Sequence, residues 1–122
     1  MKMTNMEIYN AARRIADAFE DSKQYLPVKV NFFIQKNKAK LSSLAEDIEK
    51  SRVEIIKNYG KVDEESGQYT VAPEDIETAN KELEDLFALE QDVQIHKISI
   101  DDFKDDLSLT TGQMEALMFM ID

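Results

Sequence analysis

The sequence predicts a mainly α-helical domain. Its plan is a long helical hairpin with an added N-terminal helix, a small β element at about 61–72 and 93–100, and a short C-terminal helix. Three observations carry this. The stretch Val28–Tyr59 contains no glycine or proline. It holds a seam at Ile34, Asn37, Leu41, Leu44, Ile48, Ser51 and Ile55, the alternating three- and four-residue rhythm of a helix lying along another helix. A second apolar period, Ile76, Ala79, Leu83 and Leu86, follows Pro73, a residue suited to a helix first turn. With 122 residues and 43% hydrophobic content, the chain fits one domain, 1–122.

The first helix opens at Thr4 or Asn5, which can cap it, with Glu7 in its first turn. Ile8, Ala11 or Ala12, Ile15 and Phe19 form its apolar face. Its expected end is near Lys23, because Leu26 precedes Pro27 and is steered out of helical geometry. Tyr25, Leu26 and Pro27 make the elbow. The long helix is expected from about Val30, since Val28–Phe32 is β-branched and alternating enough to be extended instead. Gly60 is expected to close it in the left-handed conformation, with Lys57 at the negative end of the helix dipole.

Asp63–Gly67 is a turn signal, and Val62, Tyr69 and Val71 alternate around it, so the segment reads as a β-hairpin, with a mobile loop as the alternative. The helix after Pro73 runs about 18 residues, roughly 27 Å, against roughly 39 Å for the 26 residues counted for its partner. It therefore covers only part of the long helix. Asp92–Ile100 reads as a strand in need of a partner. The candidates are the 61–72 hairpin, Val28–Phe32 or another copy of the chain. Ser99 with Asp102 resembles a capping box for a helical turn to Asp106. Thr110 with Gln113 does the same for a final helix, Gly112–Ile121. Met114, Leu117, Met118 and Ile121 form its expected apolar stripe, docked on the core or, as the alternative, exposed as a partner surface.

Charge narrows the function classes. The net charge is −10. Residues 1–58 carry 11 Lys/Arg against 8 Asp/Glu, and residues 59–122 carry 4 against 17. Phosphate backbones repel such a chain, so direct nucleic-acid binding is not expected. Cysteine is absent, which removes thiolate chemistry and Cys-based zinc sites. No apolar run has signal-peptide or membrane-span length, so a soluble cytoplasmic protein is expected. His96 has no second His or Cys to share a metal, and a structural role is expected for it. Ser42, Ser43 and Ser51 lack an arranged base. Carboxylate pairs such as Glu46/Glu49 and Asp101/Asp105 follow from the abundance of acids. We expect a non-enzymatic protein without cofactor or metal.

The candidate interaction residues are Lys29, Lys36, Asn37, Lys40, Ser51, Met114 and Met118. Asn37 and Ser51 interrupt the seam, where polar residues set register or partner choice. The lysines form a basic patch. Methionines make adaptable contact surfaces. These point to a protein partner, either a second copy in a homo-oligomer or another protein.

Five segments in succession resemble a family of short uncharacterised proteins from phages and prophages of Gram-positive bacteria. They are NMEIYNAARRIAD (Asn5–Asp17), LPVKVNFFIQKNKAKL (Leu26–Leu41), EIIKNYGKVDEESGQY (Glu54–Tyr69), ELEDLFALEQDVQIHKI (Glu82–Ile98) and TGQMEALMFMID (Thr111–Asp122). The resemblance implies a phage origin and a small helix-dominated protein, and it carries over no site. An accessory or assembly factor of the virion or tail module is the leading expectation. The alternatives are an inhibitor of a host defence enzyme acting through the acidic 59–122 half, and a protein that sequesters a nucleotide signal at Lys29–Lys40.

Overall fold

A computed structural model of the chain describes residues 1–19, 26–103 and 109–122. It is mainly helical and built on one long helix. In order the elements are β1 (Lys2–Thr4), α1 (Asn5–Phe19), α2 (Val28–Tyr59), β2 (Gly60–Val62), β3 (Tyr69–Val71), α3 (Pro73–Ala88), β4 (Glu90–Asp92), a 3-10 turn (Ile100–Phe103), α4 (Thr111–Leu117) and a closing 3-10 turn (Met118–Met120). The expected end of the first helix near Lys23, Tyr25 of the elbow and the far end of the turn at Asp106 lie outside the described residues.

α1 starts where its sequence says. The Thr4 hydroxyl accepts from the Glu7 backbone N–H at 3.1 Å, and the Glu7 carboxylate accepts from Thr4 N–H at 3.0 Å. This reciprocal pairing satisfies two donors that a helix start leaves open. Ile8, Ala12 and Ile15 turn inward. α2 begins at Val28 directly after Pro27, and the β-branched opening does not keep it extended. Its seam is real: Ile34, Asn37, Leu41 and Ile48 are buried, with Leu44 packed against the same core.

Gly60 departs from expectation. Its φ of −105° is extended, not left-handed, and it opens β2. The glycine is needed for closeness. A Cβ there would stand 2.7 Å from the Ile56 carbonyl oxygen, which accepts from Gly60 N–H. The left-handed position belongs to Gly67, φ +72°, in the hairpin turn. There Gly67 N–H donates to Asp63 O and Asp63 N–H to Gln68 O, both at 2.8 Å. The hairpin pairs Val62 with Tyr69 and Gly60 with Val71.

The second sheet lies elsewhere than expected. β4 is Glu90–Asp92, and its partner is the short β1, with Lys2 opposite Asp92 and Thr4 opposite Glu90. Neither another copy nor Val28–Phe32 is needed to pair it. Beyond it the chain runs irregularly to an isolated parallel bridge between Ile98 and Ile121.

The final helix keeps its Thr110–Gln113 capping box but is rotated relative to the expected stripe. Gln113, Ala116, Leu117 and Met120 face inward, while Met118 is 67% exposed. The cause is Gln113, whose amide caps the helix with its oxygen and donates from Nε2 to Ala18 O at 3.1 Å.

α2 has 32 residues and α3 has 16, so they are roughly 48 and 24 Å long. α1 meets α2 as far along as Glu49, where Tyr9 Oη donates to the Glu49 carboxylate at 3.3 Å. The core therefore fills one end of the molecule.

The glycines separate steric from conformational roles. Gly60→Ala should destabilise the fold by about 1–3 kcal/mol through overpacking against backbone. Gly67→Ala should cost about 1 kcal/mol through its positive φ. Gly112→Ala, with nothing nearer its Cβ than 3.9 Å, should gain up to about 1 kcal/mol. Urea denaturation of the three variants checks the order.

Candidate functional site

Two regions stand out. The first surrounds Asn37, which is completely buried. Its Nδ2 donates to the His96 carbonyl at 2.9 Å, and its Oδ1 accepts from the His96 N–H at 2.9 Å. An amide side chain carries the same donor and acceptor as a peptide group, so it pairs with one as a neighbouring strand would. Nδ2 also lies 3.3 Å from the Met120 sulfur. The expectation that Asn37 belongs to a binding surface is thereby corrected: its amide is used inside the chain.

The clamp brings His96 over α2. Its ring stacks on Phe33 at 5.2 Å between centroids and 8° between planes. Lys36, Ala39, Lys40, Gln94 and His96 line a shallow depression beside it. Of the expected lysines, Lys36 and Lys40 meet here. Lys36 also lies over the Phe32 ring, 5.4 Å from its centroid. Lys29 is drawn away to Asp102, at 3.3 Å. Ser51 and Met114 are half-buried and line neither this depression nor the next. Met118 lines a separate groove with Glu7, Arg14 and Glu115, between α1 and α4. The expected residues thus do not form one site.

Of the second region the sequence points only to Ser51. No side chain between Ile48 and Ala79 is buried. This span holds the end of α2, the β-hairpin and the start of α3, and it projects beyond α1 as an arm. Its apolar side chains are numerous, and three are widely exposed: Val62 at 52%, Tyr69 at 40% and Ile76 at 45%. Val62 and Tyr69 sit opposite each other in the hairpin, and Ile76 lies in the first turn of α3. Lys57 approaches the Tyr69 ring at 6.0 Å. The signal that could have revealed the arm is the mismatch in helix lengths combined with the short reach of α1.

The base of the arm is charged and ordered. Arg52 holds Glu49 through both guanidinium edges, at 2.6 and 2.9 Å. Hydrogen bonding from Arg52, aided by its charge and by Tyr9, keeps the Glu49 carboxyl below its ordinary value. The same pairing pushes Arg52 up. Higher on the arm, a hydrogen bond to the Glu82 carboxylate raises the Tyr59 phenol above the ordinary tyrosine value. Among the described residues, no group of three or more His, Asp or Glu side chains is gathered to hold a metal ion. Among the same residues, no helix is long and apolar enough to cross a membrane.

No protein family, curated protein or solved structure matches this chain.

Asn37→Leu keeps the number and branching of side-chain heavy atoms and removes the clamp. It should cost about 2–4 kcal/mol, since two peptide groups lose their partner, and amide exchange at His96 should accelerate. Glu49 gives a pH dependence. Its folded value is lowered, so its contribution is present above the ordinary value of 4.5 and is lost as pH falls through the folded value. Thermal melts between neutral and acid pH should show this loss, and Glu49→Gln should flatten it.

Proposed function

We propose that the protein is a non-catalytic binding protein that makes its contacts through the arm. The observation that carries this reading is the run from Ile48 to Ala79 without a buried side chain, ending in exposed Val62, Tyr69 and Ile76. A small domain has little apolar surface to spare, and exposed apolar groups rimmed by charge mark places where other proteins bind. The phage resemblance would make the setting a virion or tail module, with the protein an accessory or assembly factor.

One observation favours a second reading. Glu74, Glu77, Glu84 and Asp85 of α3 are all exposed, and such a face suits a basic partner. In that case the protein would inhibit a host defence enzyme. Sequestration of a nucleotide at Lys29–Lys40 is favoured less, because Asp102 neutralises Lys29 and Lys36 is engaged over Phe32.

A photo-crosslinking residue placed at Ile76, and separately at the exposed Arg13 on α1, tests the reading in the cell that expresses the protein. Adducts are expected from position 76 and not from position 13. They should disappear when Val62→Asp is added. Equal adducts from both positions would refute the arm as the contact surface.

A further inference from the structure

We infer that the depression beside His96 is a binding site for a small phosphate monoester, held by Lys36, Lys40, Gln94 and His96. It lies on the body of the molecule and is independent of the arm.

Aspartate and glutamate make up 25 of the 122 residues. Yet α2 from Val28 to Ala45 has four lysines and no acid, and the connector from Val93 to Ser99 has His96, Lys97 and no acid. These stretches are far apart in the chain. Asn37 joins them by holding the His96 backbone. Lys36, Ala39, Lys40, Gln94 and His96 line the depression that results, and none of them is a carboxylate. A chain of net charge −10 thus keeps a concave surface clear of negative charge, where an anion is attracted rather than repelled.

The two lysines keep their charge for a ligand. Among the described residues, neither Lys36 nor Lys40 is in an ion pair. Lys36 lies over the Phe32 ring, which orients the ammonium without neutralising it, because the ring has no net charge. Lys29 is tied to Asp102 and has no part in the site. Lys36 and Lys40 are one helical turn apart, so they reach the depression from the same side. Gln94 and His96 reach it from the connector.

The histidine is placed in advance. Its N–H and C=O are both held by Asn37 at 2.9 Å, and its ring is stacked on Phe33. A ligand therefore has little ordering left to impose on it.

Donor chemistry names the ligand. Each ammonium offers only donors, the Gln94 amide nitrogen has two N–H groups, and an imidazole supplies at least one. A phosphate monoester brings roughly two negative charges and three acceptor oxygens to such a set. A carboxylate has one charge and two oxygens and would leave donors unused. A nucleic-acid strand spreads its phosphates along its length, and the rest of this acidic surface repels them. The depression holds about 450 Å³, within the roughly 300–1,000 Å³ of small-ligand sites.

The chain has a single histidine, so the imidazole proton NMR signals of the purified full chain report on the site directly. They should shift saturably as inorganic phosphate or adenosine monophosphate replaces chloride at fixed pH and ionic strength. K36Q/K40Q should weaken this binding at least about tenfold. K50Q/K57Q removes the same charge from the same helix. Lys50 stands roughly 15 Å beyond Lys40 along α2, farther than the screening length of about 8 Å, so affinity should stay within about twofold. All four lysines are exposed, and both variants should keep the helical circular dichroism of the wild type.

Cosedimentation with phosphatidylcholine vesicles containing phosphatidic acid separates the sources of the phosphate. Vesicle binding that K36Q/K40Q abolishes assigns a lipid headgroup. Saturable binding of the free probes without vesicle binding assigns a soluble ester. Either result supports the site. No saturable shift together with no vesicle binding would overturn it, as would binding untouched by K36Q/K40Q. Equal losses in the two double variants would also overturn it, since overall charge would then account for the effect.

Discussion

The fold depends on one buried amide. The connector between β4 and the last 3-10 turns is neither helix nor strand, so its peptide groups have no regular partners. Buried peptide groups must nonetheless find hydrogen bonds. Asn37 supplies them from the middle of α2, accepting from and donating to the same residue, His96. That contact fixes which side chains of the connector face inward: Val93 and Ile98 are buried and His96 is turned outward onto Phe33. The ends of the chain then attach to the connector. Val93 N–H donates to Met1 O at 2.8 Å, Ile98 N–H to Met120 O at 2.7 Å, and Asp122 N–H to Ile98 O at 2.9 Å. If the connector shifted along α2, β1 and the C-terminal turns would lose their places together.

The same device appears twice more. Among the described residues the buried polar side chains are Asn5, Asn37 and Gln113, and each is an amide that binds backbone of another segment. Asn5 donates to Leu86 O at 2.8 Å and accepts from Gln91 Nε2 at 2.6 Å, joining the start of α1 to the end of α3. Gln113 joins α4 to α1. A carboxylate could offer only acceptors, and a lysine only donors. Either would also bring a charge into the core at a cost of several kcal/mol. In a chain so rich in acids, neutral amides are the groups that tie segments together without adding to the repulsion.

Local chemistry was legible in the sequence where it has one physical meaning. Thr110 with Gln113, Pro73 before an acidic turn, and Asp63–Gly67 as a turn all sit where their residue types dictate. Legibility ends where one residue type serves two purposes. An asparagine on a helical seam looks the same whether it faces another helix or a peptide group, so the seam pattern alone makes Asn37 a register position. A glycine after a helix can supply positive φ or close approach, and Gly60 supplies the second. Gln113 takes an inward position that an apolar count gives to Met114 and Met118. Strands of three residues such as Lys2–Thr4 carry no measurable period, so the partner of β4 was invisible. The exposed set Val62, Tyr69 and Ile76 was hidden for a related reason. Periodicity marks which residues share a face, but only the reach of neighbouring elements decides whether that face is covered.

That distinction divides the molecule. At one end α1 and the connector lie on α2, α4 lies on α1, and the amide contacts join them. At the other, among the described residues, α3 and the hairpin accompany α2 beyond the Tyr9–Glu49–Arg52 corner. Resistance to local opening follows buried apolar contact, so it is concentrated in the first region. The arm contributes little to the core and is therefore free to vary in sequence or to expose apolar groups without unfolding the rest. Its backbone is α2, which is continuous from the body to the tip. A surface carried on an uninterrupted helix is held in position by the body even though the body does not cover it, and this lets a domain with a small core present so much uncovered surface.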